Sequence, residues 1–136
     1  MDSIRALAIA YVAALVAFLV LDALWLGTMH GRLYKPQLGA LLRDTPQIAP
    51  AAAFYLLYIA ALTVLVIAPA LAAPGFMRAL ALGALFGLAA YGTYNLTNYA
   101  TLRGWSGLVT IADMIWGGVA SGLAACAGHW AARTFG

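Results

Sequence analysis

The sequence predicts an all-α integral membrane protein, a bundle of four transmembrane helices running up and down. Three observations predict it. Hydrophobic residues make up 65% of the 136 and charged residues only 8%, against about 45–50% and about 25% in soluble domains. Mean hydropathy is +0.95. Four separate stretches hold the roughly 20 apolar residues that a helix needs to cross hydrocarbon. So few charges cannot cover a water-facing surface, and the composition excludes a disordered chain, a disulfide scaffold and a nucleic-acid-binding domain. The net charge of +3 comes from seven scattered Lys and Arg residues, not from the clustered patch that a phosphate backbone requires.

The first helix is expected from about Ala6 to Gly27, too long for the apolar core of a signal peptide. The connection over 28–50 carries Pro36, Pro46 and Pro50 with Arg32, Lys35, Arg43 and Asp44, and a short interfacial helix fits Leu33 to Leu42. The second helix runs from about Ala51 to Ala72, with Pro69 kinking or ending it. Ala73-Pro74-Gly75 turns the chain into a third helix from about Phe76 to Tyr99. Arg103-Gly104-Trp105-Ser106 turns it into a fourth from about Gly107 to Ala132, with Ser106 as N-cap. One membrane domain uses the whole chain. Arg5, Arg78 and Arg133 fall at one end of the bundle, and Arg32, Lys35, Arg43 and Arg103 at the other. Loop charges set orientation. This near-tie leans towards a cytoplasmic long connection and is also compatible with dual insertion and an antiparallel homodimer.

The polar residues are not spread evenly. Asp22 lies near the end of the first helix, Tyr55 and Tyr58 near the start of the second, Tyr94, Asn95 and Asn98 near the end of the third, and Asp113 near the start of the fourth. An up-and-down bundle brings those four ends to one membrane face. The opposite half is almost wholly Ala, Leu, Val and Gly. A carboxylate within a membrane helix is costly, so it normally faces the bundle interior and marks a functional site. Leu21-Asp22-Ala-Leu-Trp25-Leu-Gly27 and Ala112-Asp113-Met-Ile-Trp116-Gly-Gly118 share the pattern D-x-x-W-x-G, which sets each Asp and Trp on one helix face. Tyr91, Tyr94, Asn95 and Asn98 form one stripe, and Thr93, Thr97 and Thr101 another whose hydroxyls can bond their own helix. Tyr34, Trp105 and Trp130 fit an interfacial aromatic belt. Gly83, Gly87, Gly118 and Gly122 fit close helix packing. Cys126 stands alone, and His30 and His129 lie far apart, so no metal site and no cofactor is expected.

The strings Leu21-Asp-Ala-Leu-Trp-Leu-Gly27, Phe54-Tyr-Leu-Leu-Tyr58, Tyr91-Gly-Thr-Tyr-Asn-Leu-Thr-Asn-Tyr-Ala-Thr-Leu-Arg-Gly-Trp105 and Asp113-Met-Ile-Trp-Gly117 resemble an uncharacterised family of small bacterial membrane proteins, the domain of unknown function numbered 2177. The resemblance covers nearly the whole chain in order. It implies a four-helix protein of the bacterial inner membrane with no established activity, and its genes often neighbour those for lipid modification. The family's third motif usually reads Tyr-Asp-Leu-Thr-Asn, so Asn95 stands where an acid is usual.

The residues point first to a one-sided cup of Asp22, Trp25, Tyr55, Tyr58, Tyr94, Asn95, Asn98, Asp113 and Trp116 that binds or transports a small amphipathic or cationic ligand. Carboxylates supply charge, and aromatic faces attract cations. A lipid-linked membrane enzyme or accessory is a second reading, although no nucleophilic triad or His-rich metal box is present. A structural subunit of a larger membrane complex is a third, in which the cup would be a polar clasp. Whether the chain is an enzyme stays open. The expected partners are the lipid bilayer, a small-molecule or lipid ligand, and a second copy or a larger complex.

Overall fold

A computed structural model describes residues 3–136. Among them there is no strand, and four helical rods are long and apolar enough to cross a membrane. We label them α1 (Ile4–Leu41), α2 (Ile48–Ala70), α3 (Met77–Thr101) and α4 (Gly107–Phe135). The protein is an all-α, four-span membrane protein.

Two of the rods contain a wider π turn. In α1 the regular helix Ile4–Met29 passes into a π turn at His30–Tyr34, a helical turn at Lys35–Leu38 and a 3-10 turn at Gly39–Leu41. In α2 the helix Ile48–Leu62 passes into a π turn at Thr63–Ile67 and ends with Ala68–Ala70. A proline follows each π turn at the second residue, Pro36 and Pro69. Proline has no N–H to give to the carbonyl four residues back. In each case the wider bond lies just before it: the amide of Lys35 donates to the carbonyl of His30, and that of Ala68 to that of Thr63. The chain therefore stays helical beyond Gly27, where the sequence suggested a stop. Most of the expected 28–50 connection is a continuation of α1, and Leu42 to Gln47 alone links it to α2.

Helix α4 is the centre of the bundle. It packs along α3 and α1, and α2 closes the group through its π turn. In α1 the buried residues Ala6, Ala10, Ala14, Phe18 and Asp22 recur every fourth position, so one narrow stripe faces inward and ends in a carboxylate. Small residues let the backbones meet. A Cβ on Gly128 of α4 would stand 2.9 Å from the Ala10 carbonyl oxygen. Side chains such as Val12, Leu24, Leu57, Leu65, Leu85 and Ile115 point outward, where the bilayer covers them.

The C-terminal end of α2 is closed by side chains of α4. His129, 2% exposed, lies with Nε2 at 3.1 Å from the Ala70 carbonyl and 2.9 Å from that of Ala73, and Arg133 donates to the Leu71 carbonyl at 2.9 Å. With carbonyls on both sides, Nε2 is the protonated nitrogen. The last carbonyls of a helix lack partners within it, and in hydrocarbon an unpaired one is costly. His129→Leu is therefore expected to lower stability by about 1–3 kcal/mol, read as a lower unfolding midpoint in detergent. Arg133→Leu should cost less, because Arg133 is exposed and water can replace it.

Candidate functional site

The four helix ends with polar residues meet in two hydrogen-bonded clusters, one around each aspartate, which a stacked pair of indoles joins into one network. Both carboxylates face inward, Asp22 8% and Asp113 5% exposed. Asp22 of α1 accepts from the Tyr55 hydroxyl of α2 and, at 3.3 Å, from Trp116 Nε1 of α4. Asp113 of α4 accepts from the hydroxyls of Tyr34 and Tyr94 and, at 2.8 Å, from Asn95 Nδ2 of α3. Trp25 Nε1 donates to the Tyr34 hydroxyl at 2.7 Å. Every one of these donors is neutral: three phenols, two indoles and an amide.

The two D-x-x-W-x-G segments meet crosswise. Trp25 and Trp116 stack with centroids 4.6 Å apart and planes 4° from parallel. Because α1 and α4 run antiparallel, each tryptophan lies beside the aspartate of the other segment. Trp116 bonds Asp22 directly, and Trp25 reaches Asp113 through Tyr34. Each aspartate also takes a phenol from the next helix, Tyr55 for Asp22 and Tyr94 for Asp113. The stacked indoles are half-buried and Tyr94 is exposed along one edge, so the network reaches the perimeter of the bundle.

Of the nine residues expected in the cup, seven join this network: Asp22, Trp25, Tyr55, Tyr94, Asn95, Asp113 and Trp116. Tyr58 points deeper. Its hydroxyl meets Ser121 Oγ at 2.6 Å, and its ring packs among those of Phe18, Phe54, Phe86 and Tyr91. Asn98, half-buried one turn beyond Asn95, is not among the donors to either carboxylate. Thr93, Thr97 and Thr101 bond carbonyls four residues back, as isolated threonines in helices do.

Tyr34 has a role that its place in the sequence did not suggest. Expected in the aromatic belt, it is a direct donor to Asp113. Its position follows from the π turn, which keeps the chain helical and brings residue 34 back over the end of α4. Gly27, Gly31 and Pro36 hide that continuation in the sequence. Trp105, also expected in the belt, packs partly buried beside Leu33, Leu38 and Val109 and bonds Thr110 Oγ1 at 3.1 Å. Trp130 is exposed, against Phe135. Among the described residues no cluster of three His, Cys, Asp or Glu side chains is placed to hold a metal ion.

Residues 7–130 match the family described as predicted membrane protein (DUF2177). The chain belongs to that family. No curated protein and no solved structure matches it. The matched span contains every member of the network, Tyr34 included. The site is thus built wholly within the family's own region.

Proposed function

We propose that this DUF2177 protein binds a small cationic or amphipathic ligand at the Asp22–Asp113 network, as a carrier or a binding protein in the inner membrane of a bacterium. One observation carries the reading. Two carboxylates are buried in a membrane-spanning bundle, and the donors around them are all neutral. Hydrogen bonds from neutral groups stabilise a buried carboxylate without cancelling its charge, and a buried charge without a counter-charge is expensive. A cation is the complement the site lacks.

A second reading is favoured by the same network. Its bonds already tie all four helices together, as a structural clasp would. The two readings separate in native mass spectrometry of the detergent-purified protein, wild type beside Asp22→Asn/Asp113→Asn. Asparagine keeps the shape and one acceptor oxygen, and the neighbouring phenols can turn to accept from its amide. The double variant is therefore expected to fold. A discrete bound species kept by the wild type and lost by the variant is the expected result. A folded variant with the same bound species, or no bound species in either, would favour the clasp.

A further inference from the structure

One buried polar atom in the network has no partner. Asn95 is fully buried, and its Nδ2 is occupied twice, donating to the Tyr91 carbonyl at 3.0 Å and to Asp113 Oδ2 at 2.8 Å. Both neighbours are acceptors, which fixes the orientation of the amide. Its other end, Oδ1, meets no donor. A buried acceptor left unpaired is rare and calls for an explanation, such as an ion or another group that completes it. The geometry of an amide keeps Oδ1 within about 5 Å of Asp113 Oδ2. Whatever donates to Oδ1 therefore stands in the field of the carboxylate as well.

We infer that the cation taken by this site carries at least one N–H bond, an inference that rests on the cation-binding reading above. The site makes two demands at nearly one point: positive charge for Asp113 and a hydrogen-bond donor for Asn95 Oδ1. A water molecule meets the second and not the first. A quaternary ammonium meets the first and not the second. A primary, secondary or tertiary ammonium, or a guanidinium, meets both. Leaving a buried acceptor unpaired costs enough to reject an analogue without the donor by roughly tenfold or more.

The test is isothermal titration of the detergent-purified full chain with benzylammonium and its N-methylated series up to benzyltrimethylammonium. The wild type should bind the primary, secondary and tertiary ammonium ions with similar affinity, since each keeps an N–H. Affinity should fall about tenfold or more at the last methyl. In Asn95→Leu the ligands with an N–H should drop to the level of the quaternary one, closing the gap. Equal affinity for all four on the wild type, or a steady decline with each methyl, overturns the N–H inference and leaves the cation-binding reading standing. Binding of none of the four overturns both. The methylation series decides the matter on the wild type alone if Asn95→Leu does not fold.

Discussion

Replacing Asp113 by alanine is expected to destabilise the protein by about 3 kcal/mol or more, and more than the same change at Asp22. Asp113 accepts from Tyr34, Tyr94 and Asn95, which belong to α1 and α3. Its loss strands three donors and unties two helices from α4. A buried donor without an acceptor costs about 1–3 kcal/mol. The penalties are unequal: Tyr94 is partly exposed and can turn to interfacial water, whereas Asn95 is fully buried and bears its share in full. Asp22 has two donors, Tyr55 and Trp116, both half-buried. Unfolding of the two alanine variants side by side in detergent checks the order, and Asp113→Asn should recover most of the loss. Equal costs would mean that the number of donors does not govern the contribution of each carboxylate.

The second large effect concerns backbone contact between α3 and α4. A Cβ on Gly87 would stand 2.1 Å from the Gly117 carbonyl oxygen and 2.5 Å from Ser121 Oγ. The first of these neighbours is backbone and cannot turn away. One added methyl must push the two helices apart, and overpacking of this kind costs about 1–3 kcal/mol or more. Gly87→Ala is expected at or above the top of that range. The separation would also disturb Tyr91, which packs directly on Gly117. Gly27 is the contrast. Nothing lies within 4 Å of a Cβ there, and alanine is favoured over glycine in a helix by about 1 kcal/mol. Gly27→Ala should leave the unfolding midpoint unchanged or raise it. A Gly87→Ala variant as stable as Gly27→Ala would show that α3 and α4 have room to shift.

How much of this was legible in sequence depends on the range of the signal. Composition and run length give the four spans, because the bilayer imposes one length and one polarity on each. Up-and-down topology then gathers Asp22, Tyr55, Asn95 and Asp113 at one end. The D-x-x-W-x-G repeat sets each Asp and Trp on one face. Their crosswise pairing is a property of two antiparallel helices in contact, and no single segment carries it. Tyr34 was hidden for a local reason, since glycine and proline usually end helices and here the π turn carries α1 past them. The glycines divide in the same way. Gly83 and Gly87 lie against α4, as their spacing suggests. On α4 the closest approach is at Gly117, while a Cβ on Gly118 would meet nothing nearer than 3.3 Å. Spacing names a packing face to within one residue, and the partner helix decides which residue makes contact.

The central place of α4 bears on how the chain is built. It is the last of the four helices to leave the ribosome, yet it carries Asp113 and Trp116. Until it arrives, Tyr34, Tyr94 and Asn95 lack their acceptor, and Asp22 has only Tyr55. The first three helices thus carry donors and a carboxylate whose partners lie on α4. The bundle is built like an arch, whose earlier stones gain their hold on one another when the last is set.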